Sequence, residues 1–94
     1  MSREIYAFKF APEVDMQDAS EALLLAAAAA EGLHGRSRIH LEAGFRCDPR
    51  ARTAEVTAGT EVGDSIARIF IALLTTTVGE ETFHVEHIAQ DGPA

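Results

Sequence analysis

The residues of this chain best suited to acid–base or metal chemistry are its histidines and several glutamates. The histidines are His34, His40, His84 and His87. In the segment His84-Val85-Glu86, an imidazole and a carboxylate are two positions apart, which places both on one face of a strand. Both groups serve as general acids and bases, and both bind zinc. The spacing is a weak metal signal, because packed or solvated histidines are commoner than metal ligands.

The candidate catalytic or ligand-binding side chains alternate with apolar ones along predicted strands. They are His40, Glu42, His84 and Glu86, with Glu55 as a further member. Catalysis requires such groups in a water-poor pocket. Alternation along a half-exposed strand produces the same set without any catalytic demand. We therefore expect a solvated sheet face, no metal site and no cofactor.

Cys47 is the single cysteine, so one chain has neither an intrachain disulfide nor a metal site of several cysteines. Neighbouring arginines would lower the pKa of its thiol and favour a nucleophile. Its place at the end of an apolar alternating series instead favours a small packed hydrophobic residue.

The charge of the chain is uneven. The net charge is −7, which repels nucleic acid and anionic lipid. A basic hairpin is nevertheless predicted, and its arginines are Arg38, Arg46, Arg50 and Arg52. The segment Ile5-Tyr6-Ala7-Phe8 resembles the first motif of RNA-recognition domains, but the predicted third strand carries no aromatic residue. We expect the arginines to solubilise the hairpin or to steer an acidic partner, and we do not expect nucleic-acid binding.

The periodicity of apolar residues, together with helix-capping and turn residues, predicts six secondary-structure elements. A strand over 3–11 precedes a helix from about 16 to 31 or 33, with Asp15 as its N-cap. Strands over 37–47 and 52–58 flank an Asp48-Pro49 turn. A second helix, capped by Thr60, ends at Gly79, and a last strand covers 82–88. The order β-α-β-β-α-β predicts a single α+β domain over 1–94, ferredoxin-like, with a four-stranded antiparallel sheet and both helices on one face.

Apolar side chains exceed what the two helices need for one core-facing stripe. The surplus residues are Leu24 and Leu25 on the first helix, and Ile71, Leu74 and Val78 on the second. Adjacent helices that both carry surplus form one contiguous patch, and such patches usually mark interfaces. We expect association through this helical layer, with edge pairing or stacking of the sheet as the competing route.

The function expected from these patterns is a non-enzymatic protein-interaction or assembly module that self-associates as a homodimer. The alternative is a small enzyme or ligand-binding protein with a His/Glu site on the open sheet face. An acidic mimic of nucleic acid is a third hypothesis. The longest apolar run, 22–30, is too short to span a membrane, and the N-terminus lacks the pattern of a secretory signal, so we expect a cytoplasmic protein.

Overall fold

The N-terminal strand alternates aromatic side chains with smaller ones. In the computed structural model, which describes residues 2–36 and 44–91, strand β1 spans Ser2–Phe10. Phe8 and Phe10 are buried, and the half-buried Tyr6 packs against the same core. The predicted aromatic face of β1 is therefore the face that the helices cover.

Each helix begins at the predicted cap. Helix α1 spans Met16–His34, and the Asp15 side chain accepts a hydrogen bond from the backbone N–H of Gln17. Helix α2 spans Glu61–Thr77, and the Thr60 hydroxyl accepts from the backbone N–H of Gly63 at 3.0 Å. Both caps satisfy N–H groups that a helix start leaves without an intrahelical partner.

Four antiparallel strands form one sheet in the order β2-β3-β1-β4. The remaining strands are β2, Phe45–Asp48, β3, Thr53–Thr57, and β4, Phe83–Asp91, with a 3₁₀ helix at Glu80–Thr82 before β4. This order, with two helices, confirms the predicted α+β ferredoxin-like fold. The predicted strand over 37–47 is seen only in its last part, because 37–43 lie outside the described residues.

The core lies between the sheet and the two helices. The inner face of α1 is built largely from alanine, which allows it to approach its neighbours closely. The larger volumes come from the strands and from α2, where Phe8 and Phe70 have ring centroids 4.7 Å apart. No polar or charged side chain of the described residues is buried.

The buried stripe of α2 is rotated from the predicted one. Helical periodicity alone predicts a core stripe that includes Ile69 and Leu73, with Ala67 and Leu74 at its margin. In the structure Leu74 and Ala67 are buried, whereas Ile69 and Leu73 are half-buried. On α1, the same periodicity predicts that Leu33 faces the core, but Leu33 is 71% exposed. Leu33 lies in the last turn of α1, next to the end of the helix.

Gly63 lies where α2 starts against the end of β3. A β-carbon at this position would lie 2.1 Å from the carbonyl oxygen of Thr57, which no side chain tolerates. The glycine therefore permits the close approach of the helix start to the sheet.

Among the described residues, neither helix has the length and the apolar character that crossing a bilayer requires.

Candidate functional site

Two of the predicted site residues lie together on the sheet face that the helices leave open. His84 and Glu86 are two positions apart on β4, and His84 Nε2 lies 3.4 Å from Glu86 Oε1. Their side chains are 69% and 47% exposed. Across the β1–β4 pairing, His84 is opposite Lys9 and Glu86 is opposite Ala7. The pair is therefore a solvated surface pair and is not enclosed in a water-poor pocket.

Glu55 shares the open face but not this pair. It forms an ion pair with Arg46, with 2.9 Å between Arg46 Nε and Glu55 Oε2. Ala7 separates Glu55 from Glu86, so their α-carbons are two strand spacings, about 10 Å, apart. His40 and Glu42 lie outside the described residues. Within the part of the chain that is described, no three His, Cys, Asp or Glu side chains come together as metal ligands.

A second polar cluster, on the helix side of the sheet, was not predicted from the sequence. The Tyr6 hydroxyl donates to Asp64 Oδ1 at 2.9 Å, and the Tyr6 ring lies 5.1 Å from the ring of His87. His87 Nε2 is 3.5 Å from Glu4 Oε1. The hydrogen bond to Asp64, aided by burial and by the charge of Asp64, raises the pKa of Tyr6. Tyr6 and His87 share one face of the sheet because they are opposite each other in the β1–β4 pairing. The contact with Asp64 was missed because helical periodicity alone predicts that Asp64 faces away from the sheet.

The predicted basic hairpin does not act as one charged surface. Arg46 and Arg50 are exposed, whereas Arg38 lies outside the described residues. Arg52 is half-buried, and its Nη2 donates to the carbonyl oxygen of Ala11 at 2.6 Å and to that of Val14. The assignment of Arg52 to the basic surface is therefore wrong, because its guanidinium joins the hairpin to the loop before α1.

Cys47 packs at the edge of the core. Its pKa is raised by burial, a change that a hydrogen bond with Ser20 opposes and the charge of Asp48 reinforces. The arginines predicted to lower the pKa of the thiol are not among its causes. Cys47 therefore has the environment of a packed thiol and not of an activated nucleophile.

The five residues of the predicted helical interface divide into three classes of exposure. Leu24 and Leu25 are 60% and 61% exposed, Ile71 and Val78 are half-buried, and Leu74 is fully buried. The prediction that Leu74 contributes exposed apolar surface is wrong, because α2 turns this residue into the core.

The two parts of that interface also lie on opposite flanks of the helical layer. Leu24 follows Ser20 by one turn of α1, and Ser20 lies close enough to Cys47 in the edge strand β2 to lower the pKa of its thiol. Ile71 follows Asp64 by two turns of α2, and Asp64 contacts Tyr6 beside the other edge strand, β4. The two helices therefore do not present one contiguous apolar patch.

Strand β4 is an edge of the sheet, and its backbone has a regular set of outward groups. The N–H of Ala11 donates to the carbonyl of Thr82, and the pairing runs without a bulge from there to the Ser2–Asp91 pair. The backbone N–H and C=O groups of successive residues in a strand point to opposite sides. Since Thr82 bonds toward β1, the residues of β4 whose backbone groups also bond to β1 are His84, Glu86 and Ile88. The residues whose N–H and C=O point away from the sheet are Phe83, Val85, His87, Ala89 and Asp91. Among the described residues, no hydrogen bond satisfies these outward groups.

Comparison of the chain with protein-family models, with curated proteins and with solved structures found no match. The function is therefore inferred from the geometry of the chain itself. The outer edge of β4 combines unsatisfied backbone groups with half-buried apolar side chains, those of Phe83 and Val85.

Proposed function

We propose that this chain is a protein-interaction module that self-associates, and that two copies join by antiparallel pairing of their β4 edges into one continuous eight-stranded sheet. The observation that carries the proposal is the unprotected edge of β4. A free edge strand presents a row of N–H and C=O groups that pairs with any suitable strand.

Proteins usually protect such edges with proline, with charged side chains, above all lysine, with a bulge or by keeping the strand short. Strand β4 has nine residues and pairs with β1 over its whole length without a bulge. It contains neither proline nor lysine, and its carboxylates are those of Glu86 and Asp91. By contrast, the described part of the other edge strand, β2, has four residues and is followed directly by Pro49. Among the described residues, the longer free edge is therefore that of β4.

The partner that fits this edge is a second copy of the chain. On the open face of β4 an imidazole and a carboxylate are two residues apart, in His84 and Glu86. When a second β4 lies antiparallel to the first, the order of these groups is reversed, so each group meets its complement. A strand that presents both members of the pair is complementary to itself.

The helical layer supports a dimer less well, because the predicted patch is interrupted. The exposed Leu24 lies on the β2 flank, Leu25 is likewise exposed on α1, and the apolar residues that the sequence assigned to the interface on α2 are half-buried or buried. Isolated exposed leucines are normal on a monomer surface. The exposed state of His84 and Glu86 likewise supports an ion pair at a surface better than it supports an active site.

The decisive experiment changes one outward N–H of β4. In Val85→Pro the strand loses a donor that the β1–β4 pairing does not use, so the protomer is expected to fold. Val85→Ala is the matched control, since it loses similar packing but keeps the N–H. We expect sedimentation velocity to show dimers for the wild type and for Val85→Ala, and monomers for Val85→Pro.

Circular dichroism spectra should establish that both variants keep the secondary structure of the wild type. The proposal is refuted if the wild type sediments as a monomer at every concentration tested. It is also refuted if Val85→Pro associates as tightly as Val85→Ala, because association would then not use the β4 edge.

A further inference from the structure

The outward backbone groups of β4 restrict the registers in which two copies can pair. Hydrogen-bonded pairs form only between outward residues, and a two-fold axis requires each residue to meet its symmetric counterpart. With the axis at Val85, Glu86, His87, Ile88 or Ala89, the ladder extends over five, seven, nine, seven or five residues, because β4 spans Phe83–Asp91. These five registers differ in which side chains face each other across the interface.

We infer, on the basis of the self-association proposed above, that the axis passes through Val85, so that His84 of each copy faces Glu86 of the other. Both side chains lie on the open face, and each is already close to its own partner at 3.4 Å. The two copies together place two imidazoles and two carboxylates in an alternating square. On the helix side, the same register places Val85 against Val85 and Phe83 against His87.

The other registers match the side chains less well. An axis at Glu86 places two carboxylates of the same residue opposite each other, which is destabilising. An axis at His87 gives the longest ladder, but it places His87 against His87, Glu86 against Ile88, and Phe83 against Asp91. An axis at Ile88 places Ile88 against itself but leaves Val85 opposite Asp91. An axis at Ala89 places His87 opposite Asp91 but leaves the apolar Phe83 and Val85 outside the ladder. The Val85 register alone both pairs opposite charges and keeps these apolar residues within the ladder, which is as long as an average strand.

This register makes dimerisation dependent on pH. Histidine gains its charge as the pH falls through about 6 to 7, while glutamate stays ionised. The other charged groups around His84 are Lys9, which faces it on β1, and Glu81, which borders the same shallow depression. With two new exposed ion pairs at the interface, we expect the dimer to be about three- to tenfold tighter at pH 6 than at pH 8. An axis at His87 predicts the opposite direction, since two protonated imidazoles would then repel each other.

Cysteine cross-linking tests the register directly. In a Cys47→Ala background, single cysteines at each position from 85 to 89 report the residue at the axis, because a residue on the axis lies opposite its own copy. We expect a mild oxidant such as diamide to cross-link the position 85 variant fastest on a non-reducing gel. Faster cross-linking at any of the positions 86 to 89 overturns the inferred register, and leaves the proposed dimer intact.

Charge exchange tests the ion pairs. His84→Glu should weaken the dimer at pH 6 by about tenfold, because it places carboxylates opposite each other, and the added Glu86→Lys substitution should restore it. His84→Gln should abolish the gain at pH 6, whereas His34→Gln, on the distant α1, should retain it. If His84→Gln and His34→Gln respond equally to pH, or if the double exchange fails to restore association, the inferred ion pairs are refuted. Failure of Val85→Pro to dissociate the dimer would instead refute the proposed function.

Discussion

Arg52 provides a quantitative test of how the hairpin is attached to the rest of the fold. Its guanidinium donates from Nη2 to the carbonyl oxygens of Ala11 and Val14, so it connects the β2–β3 hairpin to the loop between β1 and α1. Its backbone is in the left-handed region, at a φ of 58°. Two substitutions separate these features, because Arg52→Ala and Arg52→Gly remove the same hydrogen bonds but differ in their tolerance of positive φ.

The expected magnitude follows from these two features. A hydrogen bond to a charged group contributes about 1.5 to 3 kcal/mol. The buried Nε of Arg52 has no partner among the described residues, which reduces the net benefit, and water can hydrate the part-buried carbonyls once the side chain is removed. We therefore expect Arg52→Ala to lower the free energy of unfolding by about 2 to 3 kcal/mol. Arg52→Gly should lose about 1 kcal/mol less, because a non-glycine residue is strained at positive φ.

Urea denaturation followed by far-UV circular dichroism measures both differences. Arg46→Ala is the control, since it breaks an exposed ion pair with Glu55 and should lower the free energy of unfolding by no more than about 1 kcal/mol. The anchoring role is refuted if Arg52→Ala costs no more than this control. The strain is refuted if the glycine variant is less stable than the alanine variant.

Three further predictions concern the helix side of the sheet, and urea denaturation measures each of them. Tyr6→Phe removes the bond to Asp64 and should lower the free energy of unfolding by about 1 kcal/mol at neutral pH. Because the pKa of Tyr6 is raised in the folded state, wild-type stability should fall as the pH rises above about 10, and the variant should lack this component of the decline. Gly63→Ala should cost about 1 to 3 kcal/mol, since its β-carbon would overlap a backbone carbonyl of β3, and an unchanged stability would refute the close approach. Leu74→Ala should cost about 2 to 5 kcal/mol and Leu24→Ala less than about 0.5, whereas equal costs would contradict their assigned burial.

Local rules predicted the elements of this fold because each signal acts within a few residues. The alternation of Tyr6 and Phe8 identified both the strand and its buried face. The caps at Asp15 and Thr60 located the helix starts, because each side chain bonds to an N–H two or three residues later. The rotation of α2 was missed, because the position of the buried stripe depends on where the helix lies over the sheet. Periodicity measures the width of an apolar arc but does not say which neighbour covers its margin, so Leu74 was assigned to the surface.

For the candidate site, the sequence predicted which face of the sheet each side chain occupies but not which side chains are neighbours. Alternation correctly placed His84, Glu86 and Glu55 on one face, because the side-chain period of a strand is fixed. It did not show that Ala7 separates the two glutamates, which depends on strand order and register. Arg52 was predicted to solubilise the hairpin, because its place in a turn gives no sign of which way the side chain points. In the structure its backbone is in the left-handed region and its side chain reaches the loop before α1.

The importance of β4 follows from its position rather than from its composition. A strand with half-buried Phe83 and Val85 and no proline or lysine would be ordinary at the centre of a sheet, where neighbours on both sides satisfy its backbone. The topology instead places it at the edge, because α2 crosses over β1 and delivers the chain to the far side of that strand. The strand order thus leaves the backbone groups of five alternate residues facing outward along the nine-residue strand β4. A second β4 satisfies those groups, and the His84–Glu86 spacing selects the register in which it does so.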